Sequence, residues 1–514
     1  MTLHLETTPI AELPPIDIEH LVGCRAAVTI DPGLRAAFIA EGEARHNLER
    51  LVDGKALCVT TGQQPGLFTG PLFTVYKALS AVALAHRLQR ELGRPVVPVF
   101  WVAGDDHDLA EANHITVATL DNEILPIVLR PPDPAAQLTP LYREKLGPEL
   151  SAVRSALLQT TPESEFRPEV LAWLDRHYRP DVSFADAFAG AVADLLGRHG
   201  LVVFRSTHVA AKRVMRPLFL ETLRRAGALN RALQARAGEL KKGGWPVPVH
   251  VGDDAIPMMI EASQGRDRLV RDGNTFHTRR SHERWTLAQL ERVVGESPQR
   301  FSPNVLLRPV VEAAIFPTLA YVAGPGELAY LPQCEPLYQE LGVTPQLPIP
   351  RWSGRIVESR IARVLEKYSL TPEDLSGPAG RLESALAKED MPGEAVEALS
   401  ALRSAIQQEY GRIERVAGTL DPTLRKSVRS ARNTSLGEAA HVEKRIVSHL
   451  KSHNEILIQQ IGKARHSLFP LGRPQERVFN IVPYLIRYGT ALVDDMLASC
   501  QAWYDGAADR TGGR

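Results

Sequence analysis

The chain has 514 residues, with 60 Lys+Arg against 60 Asp+Glu and a formal net charge of zero. That balance argues against broad electrostatic binding of nucleic acid or acidic lipid, both of which need clustered positive charge. Hydrophobic residues make up 44% and charged residues 23%, the mix of a globular chain with room for roughly three domains. No run approaches the roughly 20 apolar residues of a membrane helix, and the first twenty residues lack the basic start and apolar block of a secretory signal. Cys24, Cys58, Cys334 and Cys500 stand far apart with no CxxC pair, so neither a disulfide framework nor a thiolate zinc site is expected. These features predict a soluble, cytoplasmic protein with no zinc, nucleic-acid or membrane partner.

In chain order, residues 56–61 (ALCVTT) form a short apolar run that predicts a buried parallel strand. The glycine-rich loop 62–70 (GQQPGLFTG) follows, and Pro71 opens a predicted helix at a position where its missing N–H costs nothing. Leu72, Val75, Tyr76, Leu79, Val82, Ala83 and Leu88 recur at helical spacing, Gly93 closes the element, and residues 95–103 (PVVPVFWVA) predict a second buried strand. Strand, glycine loop, helix and strand make a βαβ unit of a parallel sheet. Residues 115–180 are proline-rich and without a sustained period, which predicts an insertion. The sheet pattern resumes with a helix over 184–198 and a strand over 201–204 (LVVF), then one long basic-faced helix over about 209–241. Short strands are predicted near 247–251, 256–261, 267–271 and 275–277, and 305–311 is strand-like, with another apolar run over 317–323.

After Pro350 the pattern turns helical. Val396, Leu399, Leu402, Ile406, Tyr410, Ile413, Val416 and Leu420 alternate at steps of three and four. After the Asp421-Pro422 break a second run follows, Val442, Ile446, Leu450, His453, Leu457, Ile461, Ala464 and Leu468. Two such stretches predict an antiparallel helical hairpin of coiled-coil type. It either covers the sheet domain or protrudes and dimerises, and the length and charged flanks favour the dimer.

Three clusters carry chemistry. The loop containing Gly62, Gln63, Gln64, Gly66, Thr69 and Gly70 places backbone N–H groups and neutral donors before a helix, a setting for phosphate, carboxylate or sugar hydroxyl. It matches neither GxGxxG nor GxxxxGK[ST], and a plain βα turn is the bland alternative. Asp105, Asp106, His107 and Asp108 follow the second strand, with Glu111, Asn113 and His114 close behind. Ionisable groups beyond a buried strand point to ligand, Mg²⁺ or general-base chemistry, or else to a surface acidic turn. The third cluster holds Asn304, Arg308, Tyr321, Gly324, Glu327 and Tyr330. Arg308, placed at a strand end, is either a clamp for carboxylate or phosphate or a structural partner for a buried acid such as Glu312. Cys58 lies inside a predicted strand and is expected to pack as a small apolar residue.

Taken together, the segments TTGQQPGLFTGPLFTVYKA, PVFWVAGDDHDLAEANH, FSPNVLLRPVVEAAIFPTLAYVAGPGELAY and LFPLGRPQERVFNIVPYLIRYG closely resemble the bacillithiol biosynthesis cysteine-adding enzymes, in order over about residues 10–500. The resemblance implies an α/β fold with a Rossmann-like parallel-sheet core, two connecting insertions and a C-terminal antiparallel coiled-coil domain that forms homodimers. It also implies addition of L-cysteine to glucosaminyl malate. The implied core is similar to class I aminoacyl-tRNA synthetases, which adenylate the amino acid first. Their histidine motif has no counterpart in Gly62-Gln63-Gln64-Pro65-Gly66, so ATP with Mg²⁺ is carried over by analogy of fold. The family reads Glu-Asp-His-Asp where this chain has Asp105-Asp106-His107-Asp108, and often Gln-Asp where it has Glu312-Ala313. The boundaries expected are core over 1–114, 181–245 and 301–372, insertions over 115–180 and 246–300, coiled coil over 373–470, and a segment over 471–514 that returns to the core. In this scheme Asp106, His107 and Asp108 are catalytic. Gly62, Gln63, Gln64, Gly66, Thr69, Gly70, Lys77, Asp105, Asn113, Asn304, Arg308, Tyr321, Gly324, Glu327 and Tyr330 bind substrate or nucleotide. The rival expectations are a non-catalytic dimeric binding protein for a sugar-malate or nucleotide, and a ligase of the same type for another amino sugar or amino acid.

Overall fold

A computed structural model describes the chain except for residues 1–2, 18–21, 24–27, 132, 134–135, 390, 454 and 512–514; Cys24 lies outside the described residues. Six strands form the central sheet: β1 (Phe38–Ile39), β2 (Leu57–Gln63), β3 (Val96–Val102), β4 (Val202–Arg205), β5 (Thr318–Ala323) and β6 (Leu347–Pro350). Their order is β6-β5-β2-β3-β4-β1, with β1 antiparallel to β4 and every other pair parallel. From β2 the chain winds outward through β3 and β4, then crosses back to β5 and β6 on the other side. The order therefore reverses between β2 and β5, and a crevice opens at such a switch point beyond the carboxyl ends of the strands.

The apolar runs predict this sheet because both of its faces are covered. Along β3, Val96, Phe100 and Val102 enter one core cluster, with the helices Leu72–Leu92 and Phe184–Leu196. Val97, Val99 and Trp101 enter the opposite cluster, with the helix Val209–Arg224. Strands buried on both faces read as continuous hydrophobic runs, not alternating ones. The helix Leu72–Leu92 starts after Pro71 and ends at Gly93, whose φ of 63° suits the glycine. Cys58 is fully buried in β2, as expected of a small packed residue.

Several local expectations are corrected. The 115–180 insertion holds a hairpin, His114–Ala118 with Ile124–Val128, and the helices Leu150–Thr160 and Arg167–His177. The basic helix is two, Val209–Arg224 and Ala226–Lys242, because Arg225 leaves helical geometry at φ −95°, ψ 11°. No strand forms over 247–251; the second insertion instead pairs Ala255–Ala262, Gly265–Asp272, Thr275–Thr278 and Arg284–Thr286 with Phe301–Pro303 in one antiparallel sheet. The strand expected over 305–311 is replaced by the helix Arg308–Ile315. Pro309 sits in its first turn, where proline is tolerated, and Asn304 Oδ1 accepts from the N–H groups of Leu306 and Leu307 at 3.0 Å each.

The hairpin arm comprises Gly393–Leu420 and Leu424–His453, turning at Asp421-Pro422 as expected, and Glu455–Leu468 returns it to the core. Its apolar residues divide by exposure. Leu399, Ile406 and Tyr410 are buried or half-buried toward the hairpin, where the Tyr410 hydroxyl lies 3.0 Å from Ser435 Oγ. Val396, Leu402, Ile413, Val416 and Leu420 are exposed. Among the described residues no helix is long and apolar enough to cross a membrane.

Candidate active site

At the switch point the carboxyl ends of β2 and β5 meet the helix Pro325–Tyr330. Lys77 reaches this point from the first helix after β2 with only 2% of its surface exposed, and its Nζ donates to the Gly62 carbonyl and, at 2.6 Å, to Glu327 Oε2. The Gly324 N–H donates to the same carboxylate oxygen at 2.8 Å. Arg308 Nη2 donates to the Tyr330 hydroxyl at 2.9 Å, the Tyr321 hydroxyl at 3.0 Å and Glu327 Oε1 at 3.3 Å, while the Tyr321 hydroxyl itself donates to Glu327. One carboxylate is thus shared by two cations. Burial opposes its charge, but Lys77 and Arg308 prevail and hold the Glu327 pKa below the usual range. Burial lowers the Lys77 pKa in spite of Glu327.

This network forms the wall of a cavity of about 490 Å³ that also includes Gln63, Gln64, Asp106, Glu111, Arg351 and Arg477. Arg351 is almost fully buried, bound through Nη1 to Glu476 at 2.8 Å, and its Nε has no hydrogen-bond partner among the described residues. A second cavity of about 300 Å³ lies between β3 and the second insertion, lined by Trp101, His107, Val251, Met259, Arg266 and Arg268 among others. Ala103, Asp106, Val305 and Arg308 line both cavities, which therefore adjoin across a shared wall.

The acidic turn divides by role. Asp106 Oδ1 accepts from the His107 N–H at 2.7 Å and the Asp108 N–H at 3.2 Å, which fixes the turn beneath the chambers. His107 presents Nδ1 3.4 Å from Arg266 Nη1, and burial and then Arg266 lower its pKa. It is therefore neutral near pH 7, the state a proton acceptor needs. Asp105 ion-pairs with the fully buried Lys212 at 2.7 Å. Asp108 is exposed and caps the helix Leu109–Ala112, accepting from the Glu111 N–H at 3.0 Å. Asn113 is buried and accepts from the Arg130 N–H at 3.2 Å.

Of the sequence-expected residues, the structure brings Gly62, Gln63, Gln64, Lys77, Asp105, Asp106, His107, Asn304, Arg308, Gly324, Glu327 and Tyr330 onto the walls, with Tyr321 directly behind Arg308. Gly66 is half-buried, and Thr69 and Gly70 are buried, behind the wall, where the Tyr178 hydroxyl accepts from the Thr69 N–H at 2.8 Å and Asn480 donates to the Phe68 and Gly70 carbonyls. Gly70 is needed there for its φ of 72°. Arg266, Arg351 and Arg477 belong to the site without having been singled out. Arg477 at least lay inside the PLGRPQERVFN segment, while nothing in the local sequence marks Arg266 or Arg351.

A doubly wound core with a charged crevice at its switch point, carrying a coiled-coil arm, is a Rossmann-like architecture. Residues 34–352 match the family described as "Bacillithiol biosynthesis BshC, N-terminal Rossmann-like domain", and residues 355–503 match its C-terminal coiled-coil domain. The chain belongs to the BshC family of bacillithiol biosynthesis. Relatives named "Putative cysteine ligase BshC" include one from Chlorobaculum tepidum, 32% identical over 486 residues, covering 91% of this chain and 84% of that protein. Another, from Salinibacter ruber, is 32% identical over 458 residues (88% and 82%), and one from Desulforamulus reducens is 30% identical over 458 residues (88% and 83%).

Proposed function

We propose that the crevice joins L-cysteine to the amine of glucosaminyl malate, the last step of bacillithiol assembly, with ATP activating the cysteine carboxyl. The observation that carries this reading is the convergence of the strand-end clusters on two adjoining chambers that share Asp106 and Arg308 in their walls. A binding protein for one small ligand has no need of a second chamber with a neutral histidine. Family membership supports the ligase chemistry.

In this reading Lys77, Arg308, Arg351 and Arg477 hold the malate carboxylates and phosphate oxygens in the larger chamber, and Gln63 and Gln64 meet sugar hydroxyls. The smaller chamber, apolar at Val251, Ile256 and Met259, takes the short thiol-bearing amino acid. The sugar amine attacks the activated carboxyl carbon, the amide C–N bond forms, and the C–O bond to the activating phosphoryl group breaks. The amine proton passes to the His107 imidazole. Mg²⁺ bound with the nucleotide would supply neutralisation of phosphate charge, and Asp106 and Glu111 are the wall carboxylates that would hold it. The exposed apolar residues of the arm are assigned to homodimerisation.

The test is incubation of purified protein with ATP, Mg²⁺, L-cysteine and glucosaminyl malate, followed by mass spectrometry. The reading predicts the cysteinyl amide and cleaved ATP. Amide formation with another amino acid in preference to cysteine would transfer the assignment to that substrate, and glucosaminyl malate binding without turnover would favour the binding protein.

A further inference from the structure

Behind the larger chamber stands a carboxyl group that the proposed chemistry does not use. Glu312, on the helix Arg308–Ile315, has no exposed surface. Thr60 of β2 donates to its Oε1, but among the described residues Oε2 has no hydrogen-bond partner. Arg308 Nη1, 3.8 Å from that oxygen, has none among them either. The guanidinium is confined from the side as well, since a Cβ at Gly62 would stand 3.1 Å from Nη1. Arg308 therefore spends one nitrogen on the Tyr321–Glu327–Tyr330 cluster and holds the other between Glu312 and the chamber.

We propose that Glu312 is a positioning residue for Arg308 that takes up a proton when an anion binds in the larger chamber. The proposal rests on the assignment of that chamber to anions. With Glu312 ionised, Lys77 and Arg308 are balanced by Glu327 and Glu312 and the cluster is neutral. With Glu312 protonated the cluster carries one net positive charge, and Nη1 is released toward the ligand. An arriving carboxylate or sulfate thus favours the protonated acid, and by reciprocity acid favours the anion. The groups facing Glu312 are Arg308 on its own helix, Lys77, Glu327 and Tyr321. Burial, opposed by Arg308 and Thr60, raises its pKa to about 7, so the exchange falls within reach of ordinary buffers.

The test is isothermal titration calorimetry of the full chain with L-malate and with sulfate, neither of which titrates between pH 6 and 8.5. The wild-type dissociation constant should rise by up to about tenfold per pH unit above neutrality, the slope of one linked proton, and apparent heats should depend on buffer ionisation enthalpy. Glu312→Gln should bind with a flat pH profile, and Glu312→Asp should restore the slope. Thr60→Val, which removes the hydrogen bond favouring the charged form, should move the break to higher pH and serves where the Gln variant fails to fold. A flat wild-type profile, a slope that persists in Glu312→Gln, an unmoved break in Thr60→Val, or no binding of either anion would overturn the proposal. If the linkage holds while no cysteinyl product forms, the ligase reading falls and the proton linkage stands.

Discussion

The switch-point crevice and the helical arm solve opposite problems. In the crevice, Lys77, Arg308 and Glu327 are charged groups and Glu312 an acid with a pKa raised to about 7, all withdrawn from bulk water and each held in place by its neighbours. On the arm, Val416 and Leu420 are apolar groups left in water at 63% and 78% exposure. Burying charge costs free energy unless it is paired, and exposing an apolar stripe forgoes the gain of burial. Neither arrangement favours the isolated chain over a plain apolar core, which is why we propose that each meets something else: an anionic substrate in one case, a second copy in the other.

Breaking the crevice should have the largest effect. Glu327→Ala leaves Lys77 and Arg308 without their shared counter-charge, so we expect about 3–5 kcal/mol of lost stability in denaturant unfolding, as for removal of one partner of a buried pair, together with loss of turnover. His107→Ala should leave the melting temperature nearly unchanged but reduce turnover by about 10²–10⁴-fold if the imidazole accepts the amine proton. Because burial and Arg266 depress the His107 pKa, the imidazole is neutral above its usual value, and the acid limb of the rate profile should lie below pH 6.5. An acid limb centred above pH 7 in both wild type and Glu312→Gln would contradict the assignment.

The arm is broken differently. Val416→Glu with Leu420→Glu should weaken self-association by about tenfold or more in sedimentation analysis, with unfolding of the core unaffected. The smallest effect sharpens the division within the acidic turn. Asp108→Ala should cost about 1 kcal/mol as a lost N-cap and leave turnover in place, which separates the capping residue from Asp106 and His107.

Much of this architecture was legible in the sequence because single-period signals carry it. The runs 56–61 and 95–103 are apolar on both faces, and the steps of three and four on either side of Asp421-Pro422 mark the hairpin. Arg308 was placed at a strand end because Val305, Leu306, Leu307, Val310 and Val311 satisfy either period. Pro309 in the first helical turn, and the turn that Asn304 closes just before it, decide for the helix. Asp106 and Asp108 stand two residues apart in the turn beyond the strand, and there the backbone carries one carboxylate to the cavity wall and the other to a helix terminus. Arg266 and Arg351 were missed because each comes from a distant segment whose local sequence is ordinary; only the sheet winding and the insertion bring them to the site.

Cysteine labelled with ¹⁸O in both carboxyl oxygens, supplied with ATP, Mg²⁺, glucosaminyl malate and the full chain, tests the central claim most directly. Activation of the carboxyl by ATP predicts one ¹⁸O transferred to AMP or to phosphate for each cysteinyl amide formed. Amide product without label in either, or no amide product from folded protein, would contradict it.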